Sequence, residues 1–194
     1  MLDRACERCA VPLGRRGACG ECLAHAPCFD AAAAAFEYRF PVDRLILRFK
    51  YAGDLAIGHW LGLQLADRVA REDPPDLLVV PPLSASRLRT RGFNQALELA
   101  KVVAKRLALR CDLDGLTRDG AADPQVGLGR RERLANLRDA FRCRLALDDR
   151  HVAIVDDVLT TGATASCLAR VLKAAGARRV SVWAVARAPE PGAR

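Results

Sequence analysis

The sequence contains few aromatic residues and no long apolar segment. Aromatic side chains make up 5% of the 194 residues, with 2 Trp, 2 Tyr and 6 Phe. So few aromatic rings argue against a protein that binds single-stranded nucleic acid by stacking bases on exposed side chains. The longest apolar segment, residues 77–83, is much shorter than the ~20 residues that a membrane helix needs, so we expect no membrane insertion.

The chain also lacks the features of a secretory signal peptide. From Met1 to Cys6 no apolar segment follows a basic start. We therefore expect a cytoplasmic protein, in which the 8 cysteines are thiols or metal ligands rather than disulfides. A hydrophobic content of 51% is too high for a disordered chain and fits one globular domain with, at most, a small appendage.

Positive charge is concentrated in one part of the chain. The whole sequence has 31 Lys and Arg residues against 23 Asp and Glu residues, a net charge of +8. Between Ser84 and Arg150 there are 15 basic and 9 acidic residues. Such a cluster indicates a polyanionic partner, either a phosphorylated small molecule or nucleic acid. A basic face that contacts only water explains the charge equally well.

Four cysteines near the N-terminus have the spacing of a metal site. They form two C-x2-C pairs separated by nine residues, namely Cys6, Cys9, Cys19 and Cys22. Two such pairs offer four thiolates in a tetrahedral arrangement, which zinc prefers in structural sites. His25 and Cys28 lie close enough to serve as substitute ligands. A redox role is disfavoured because neither pair is expected to follow a strand and open a helix. We therefore predict a zinc-binding module over residues 1–30.

The remaining residues, 31–194, have the pattern of an α/β domain. Apolar residues at helical spacing predict helices over residues 42–51, 55–71, 94–109 and 165–175. Apolar runs predict strands over residues 76–80, 151–155 and 180–186, with an Arg-rich loop after the first of them. A strand, a helix and a strand follow one another from His151 to Ala186, which favours a parallel sheet flanked by helices. We expect Trp60 in the core.

The segment from Val155 to Thr164 has the features of a site for a phosphorylated sugar. Two adjacent carboxylates follow an apolar strand, at the edge where open parallel sheets bind ligands. The loop beyond them carries Thr and Gly residues and leads into a helix, whose first N–H groups attract phosphate. One alternative is a metal-holding Asp in a nucleoside-triphosphate enzyme, but no G-x-x-x-x-G-K-[ST] loop is present. The other is an ordinary helix cap in a Thr-rich turn.

These ten residues resemble the phosphoribosyl-pyrophosphate (PRPP) loop of type I phosphoribosyltransferases. The wider chain resembles the ComF family, also called GntX-type proteins. Besides the paired cysteines, the resemblance rests on residues 47–54 (LRFKYAGD), 82–95 (PLSASRLRTRGFNQ) and 124–137 (PQVGLGRRERLANL). Ser84 departs from the pattern, because many members carry His at this position.

The resemblance implies a role for each part of the site. Asp156 and Asp157 would hold the ribose hydroxyls, as the catalytic pair. The PRPP-binding segment would comprise Val155, Asp156, Asp157, Thr160, Thr161, Gly162, Ala163 and Thr164, with its last five residues around the 5′-phosphate. The pyrophosphate loop would contribute Arg87, Arg89 and Arg91, for which surface charge is the alternative. A mobile loop would contribute Gln125, Arg130, Arg131 and Arg133, for which surface charge is an equally good explanation.

The same resemblance implies two classes of function. One is a phosphoribosyltransferase that binds PRPP with magnesium and transfers the phosphoribosyl group to a nitrogen acceptor that the sequence does not identify. The other is a non-catalytic accessory of DNA uptake, in which the zinc module and the basic segment contact single-stranded DNA or a competence helicase. The low aromatic content weakens direct DNA binding.

Overall fold

The computed structural model describes residue 2 and residues 4–13, 17–118 and 141–189. Four parallel strands form its central sheet, in the order β1-β6-β5-β2. They are β1 (Ala31–Glu37), β2 (Leu77–Val79), β5 (His151–Leu159) and β6 (Arg179–Arg187). Two short strands, β3 (Leu116–Arg118) and β4 (Phe141–Cys143), pair in an antiparallel hairpin. The fold is therefore the parallel α/β sheet that the sequence predicts.

Six helices are described, and most match the predicted ones closely. They are α1 (Gly20–Ala24), α2 (Val42–Ala52), α3 (Leu55–Val69), α4 (Ala85–Arg91), α5 (Gln95–Leu107) and α6 (Ala163–Ala174). Residues with side-chain acceptors begin several of them: the Asp54 carboxylate accepts from the Ile57 N–H at 3.2 Å, and the Asn94 amide oxygen accepts from the Ala96 N–H at 3.1 Å. No described helix has the length and apolar character needed to span a membrane.

The helices cover the two faces of the sheet unequally. Helices α2, α3 and α5 pack with one face of the strands in a core around Phe49, Leu65 and Trp183. Helix α6 and the β3–β4 hairpin cover the other face, around Leu168 and Leu172. The connection after β2 thus leads to one face through α5, whereas the connection after β5 leads to the opposite face through α6. Such a reversal opens a crevice between the carboxyl ends of the two neighbouring strands.

The structure corrects two expectations about this domain. The segment that follows β2, predicted as an Arg-rich loop, contains helix α4, which begins after Ser84 and ends at Gly92. The Ser84 hydroxyl accepts from the Arg87 N–H at 3.4 Å, and Gly92 adopts a left-handed φ of 76°, so both ends carry ordinary helix signals. Trp60, expected in the core, is 43% exposed and stacks on Phe36 at 6.0 Å between ring centroids.

The N-terminal cysteine segment packs against the edge strand β1. The Leu2 N–H donates to the Ala35 carbonyl at 3.0 Å, and the side chains of Leu2, Ala10 and Ala34 form a small apolar cluster. The Ala32 N–H donates to the Glu7 carbonyl at 3.4 Å. These contacts cover backbone groups that an edge strand would otherwise expose, and they fix the cysteine segment to the sheet.

Candidate functional site

The two carboxylates lie near the carboxyl end of β5. Strand β2 ends at Val79, opposite Ile154, whereas β5 continues to Leu159 alongside β6. Asp156 and Asp157 are therefore part of the strand, whereas the sequence predicts a strand that ends at Val155. The strand runs further because its last residues pair with β6. In the described part of the chain no strand pairs with the other edge of β5 beyond Ile154, so the pair borders the crevice beside β2.

A lysine from a distant helix reaches this pair. Lys50, on α2, places Nζ 2.9 Å from Asp157 Oδ2, with 16% and 12% of the two side chains exposed. An ion pair with this little exposure is shielded from solvent more than a surface pair is, so Lys50 compensates one of the two charges. Sequence reasoning did not identify Lys50 as a site residue. The only available signal was its place in the LRFKYAGD segment, because nothing local links it to β5.

The second carboxylate keeps an unusually high proton affinity. Burial and the negative charge of Asp157 raise the pKa of Asp156 from 3.8 to about 7, although Lys50 and the Asp157 N–H act in the opposite direction. That N–H donates to Asp156 Oδ1 at 2.8 Å. Above neutral pH both carboxylates are ionised and Lys50 neutralises one of the two charges, which leaves a net charge close to −1. Below neutral pH Asp156 is protonated and this net charge is lost. Hydrogen-bond donors such as sugar hydroxyls would stabilise its fully ionised form.

The loop after β5 leads directly into helix α6. Gly162 precedes the helix with a left-handed φ of 74°, a conformation that costs other residues energy. The Thr161 hydroxyl accepts from the Ala163 N–H at 3.4 Å. The first N–H groups of a helix have no carbonyl partner within it, so Thr164 and Ala165 can present theirs to a ligand. Thr160, Thr161, Gly162, Ala163 and Thr164 therefore form one turn at the positive end of the α6 dipole.

The three arginines of the predicted pyrophosphate loop differ in direction and in contacts. Because all three lie on helix α4, Arg87 and Arg91 share a face four residues apart, whereas Arg89 points in a different direction. Arg87 and Arg89 are exposed. Arg91 instead lies over the Tyr51 ring, 5.3 Å from its centroid, and donates to the Gln95 amide oxygen at 3.0 Å. The structure thus brings two of the three arginines onto one face.

The predicted mobile-loop residues Gln125, Arg130, Arg131 and Arg133 lie outside the described residues. The described strands on either side are paired, with Arg118 opposite Phe141.

The four N-terminal cysteines form a cluster that could hold a metal ion. The sulfur atoms of Cys6, Cys9, Cys19 and Cys22 all lie within 4.8 Å of one another. The Cys9 and Cys19 sulfurs are 3.7 Å apart. Four sulfurs at the usual zinc distance of ~2.3 Å would be about 3.8 Å from one another in a tetrahedron, so the cluster is compatible with a zinc module.

Local structure around the sulfurs suits thiolate ligands. Burial opposes ionisation of Cys6, but N–H groups of the neighbouring turns, including that of Cys19 at 3.3 Å, lower its pKa to about 7. Burial and the nearby thiols raise the pKa of Cys22. The second pair does open a helix, since α1 begins directly after Cys19. No described strand precedes this helix, so neither pair both follows a strand and opens a helix, as the sequence predicts.

Known proteins resemble this chain over most of its length. The profile of the phosphoribosyl transferase domain matches residues 94–193. DNA utilization protein YhgH of Escherichia coli K12 is 34% identical over 189 residues, which cover 94% of this chain and 83% of that protein. Competence protein F of Haemophilus influenzae is 32% identical over 179 residues, which cover 88% of this chain and 78% of that protein. This chain belongs to the ComF family.

Two of the three segments on which the ComF resemblance rests, residues 47–54 and 82–95, meet beside the carboxylates. Phe49, from LRFKYAGD, packs against Phe93, from RGFNQ, at 5.4 Å between ring centroids. The contact between Tyr51 and Arg91 joins the same two segments at the surface. Since Lys50 lies between Phe49 and Tyr51, this packing holds the Lys50 backbone where its side chain meets Asp157. These two segments therefore pack together next to the Asp157 carboxylate.

Proposed function

We propose that the chain binds PRPP in the crevice between the carboxyl ends of β2 and β5. One observation carries the proposal. Asp156 and Asp157, with Lys50 as the counter-charge of Asp157, directly precede the glycine-containing turn from which α6 begins. Carboxylates that accept from sugar hydroxyls and N–H groups that bind a phosphate are then held by consecutive parts of one chain segment.

Each group of residues has one task in this proposal. Asp156 and Asp157 hold the ribose hydroxyls, and the turn from Thr160 to Thr164 holds the 5′-phosphate. Arg87 and Arg91 share the helix face available to the pyrophosphate, because the planar guanidinium suits phosphate oxygens. Arg89 is the least suited of the three, since it lies off that face. The contribution of Gln125, Arg130, Arg131 and Arg133 remains a prediction from the sequence.

The proposed reaction is transfer of the phosphoribosyl group to a nitrogen acceptor. The bond between ribose C1 and the pyrophosphate oxygen breaks, the acceptor nitrogen forms the new bond to C1, and its proton leaves to solvent. Positive charge develops on the sugar, so the protein contributes by positioning and by neutralising the leaving group. Magnesium binds diphosphates through few protein ligands, so we expect it to enter with PRPP.

We also propose that the cysteine cluster holds zinc and that residues 1–30 form its module, with residues 31–194 as the phosphoribosyltransferase-like domain. All four donors are thiolate sulfurs, which favour zinc over harder cations. The segment contributes few apolar residues to the main core, so the metal would supply much of its folding free energy.

Titration calorimetry with separate fragments of the ligand tests the PRPP proposal. PRPP with Mg²⁺ should bind more tightly than ribose 5-phosphate or pyrophosphate alone, because only PRPP occupies both halves of the crevice. Omission of Mg²⁺ should weaken PRPP far more than ribose 5-phosphate. If PRPP binds no more tightly than inorganic pyrophosphate, the Asp pair and the turn do not recognise the sugar phosphate.

A second candidate function is that of a non-catalytic accessory in DNA uptake. It is favoured by the names of two relatives, DNA utilization protein YhgH and Competence protein F. Arg87 and Arg89 are exposed, and no ion pair to either is found among the described residues, so they are available to a polyanion. A labelled oligonucleotide titrated at several salt concentrations tests it. The double variant Arg87→Gln/Arg89→Gln should reduce the salt slope by about two if these residues contact phosphates. DNA binding without PRPP binding would favour this function over the transferase.

A further inference from the structure

Arg187 connects the metal-binding segment to the turn that we assign to the 5′-phosphate. Its side chain is buried, with the residue 7% exposed, at the carboxyl end of β6. The Nε atom donates to the Cys9 carbonyl at 2.7 Å. The Nη1 atom donates to the Leu159 and Thr160 carbonyls at 3.2 and 2.6 Å, and also to the Ala188 carbonyl. One guanidinium therefore contacts both the first cysteine pair and the end of β5.

This arginine is compensated by backbone carbonyls rather than by a carboxylate. Within the described ranges no acidic side chain forms an ion pair with Arg187. A buried charge destabilises the folded protein unless hydrogen-bond partners surround it. The guanidinium therefore restrains the position of each of these carbonyls. Displacing one of them would leave part of a buried cation without a hydrogen-bond partner, which is unfavourable. The contacts are therefore mutually dependent.

The hydrogen bond from Arg187 to the Thr160 carbonyl sets the direction of the Thr161 N–H in the phosphate turn. In a trans peptide the C=O and N–H groups point in opposite directions. Because the Thr160 carbonyl is held toward Arg187, the N–H of Thr161 in the same peptide group is directed away from it. Arg187 thus orients the turn without lying inside it, which makes it a positioning residue rather than a ligand contact.

A second contact reinforces the same connection. Phe29, which follows the cysteine segment, is 2% exposed, and its ring lies 3.5 Å from the place where a Cβ on Gly162 would be. The turn therefore lies between Arg187 on one side and Phe29 on another. Arg187 contacts the cysteine segment through the Cys9 carbonyl, and Phe29 follows that segment directly in the chain.

We infer that metal binding at the cysteine cluster and phosphate binding at the 160–164 turn are thermodynamically linked through Arg187. Loss of the metal would free the turn that carries the Cys9 carbonyl, and the guanidinium would then hold the phosphate turn less firmly. Linkage is reciprocal, so a ligand that orders the phosphate turn must strengthen metal retention by the same factor. This inference rests on the proposed function, since it requires a phosphate ligand at the turn.

The test measures zinc release from the full chain to a chromophoric chelator, with and without PRPP and excess Mg²⁺. In the wild-type protein PRPP should slow release by about five- to tenfold, within the usual range of coupling. The variant Arg187→Met should release zinc at least about tenfold faster without ligand, and PRPP should no longer slow it. Arg179→Met is the matched control, because it removes an arginine from the other end of β6 that pairs with Asp73 at the surface. It should behave as the wild type.

Calorimetry supplies the reciprocal measurement. Zinc removal should weaken PRPP binding by the same factor by which PRPP raises the equilibrium zinc affinity, measured by competition with the chelator. Arg187→Met should abolish both effects. Arg187→Lys, which keeps the charge but can reach fewer carbonyls at once, should be intermediate and serves if the Met variant does not fold. Equal zinc release from Arg187→Met and Arg179→Met would overturn the inference. If the wild type fails to bind PRPP, the proposed function is wrong, and the ligand-free release rates alone decide whether Arg187 holds the metal segment.

Discussion

Lys50 Nζ lies 2.9 Å from Asp157 Oδ2, and this ion pair joins helix α2 to the strand that carries both carboxylates. The two residues are more than 100 positions apart in the sequence, yet their side chains are mostly shielded from water. The pair explains how two adjacent carboxylates persist in a half-buried crevice. It also leaves Asp156 as the group whose ionisation changes near neutral pH.

Replacing Lys50 should shift the pH at which the site becomes competent. In Lys50→Met the carboxylates lose their only described cationic partner, so a proton is held more tightly by the pair. PRPP affinity, measured by calorimetry from pH 5.5 to 8.5, should therefore reach half its maximum about one pH unit higher than in the wild type. Lys101→Met, which removes a surface pair with Glu98, is the control and should leave the profile unchanged. An identical profile for Lys50→Met would exclude Lys50 from the site.

Removing the Asp156 carboxylate should stabilise the protein at alkaline pH. The folded pKa of about 7 lies above the ordinary value of 3.8, so folding takes up a proton between these values and stability falls as the pH rises through them. Asp156→Asn does not titrate and escapes this loss. At pH 8 it should be about 1–2 kcal/mol more stable than the wild type, because partial exposure limits the effect. At pH 4 the advantage should vanish. Thermal unfolding at both pH values measures this, and a pH-independent difference would contradict it.

Gly162→Ala should weaken both folding and ligand binding. The left-handed φ of 74° strains any residue with a Cβ by ~1–2 kcal/mol, although the Phe29 ring at 3.5 Å leaves room for the methyl group. Gly53→Ala is a matched control, since Gly53 also has a left-handed φ, of 65°, with no neighbour within 4 Å. Both variants should lose similar stability in chemical unfolding, but only Gly162→Ala should lose PRPP affinity, by about tenfold or more. Equal PRPP affinities would argue that the turn does not hold the phosphate.

Cys6→Ser should lower bound zinc to well under one equivalent, because three thiolates and a hydroxyl bind zinc much more weakly than four thiolates do. Metal content measured by mass spectrometry after dialysis checks this. Cys28→Ser is the control and should keep a full equivalent, since Cys28 contacts Arg170 and is not part of the sulfur cluster. Full retention in Cys6→Ser would instead assign the fourth ligand to Cys28 or His25.

The local features of the site are predictable from the sequence. The spacing of the cysteine pairs places four sulfurs together, because each C-x2-C turn is a short-range structure. The Asp pair followed by a Gly-containing turn and a helix is likewise contained in ten consecutive residues. Helix α4 was missed, although Ser84 and Gly92 are ordinary start and stop signals. The proline pair before it favoured a loop interpretation.

The long-range partners of the site are not predictable in the same way. Lys50 and Arg187 each act across contacts that only the packed sheet creates, and neither has a sequence pattern that distinguishes it from a surface cation. Trp60 shows the opposite error, because it is predicted to lie in the core, whereas it stacks on Phe36 and is 43% exposed. Which face of a helix is covered depends on neighbours distant in the chain.

The most direct test of the account is calorimetric titration of PRPP with Mg²⁺ into the wild type and into Asp156→Asn/Asp157→Asn. Circular dichroism and zinc content show whether the double variant keeps its fold. The account predicts that the wild type binds PRPP and that the folded, zinc-loaded double variant binds at least about 100-fold more weakly, since two charge-assisted contacts to the ribose are lost. Equal PRPP affinity in the two proteins would contradict the assignment of the Asp pair as the sugar-binding centre.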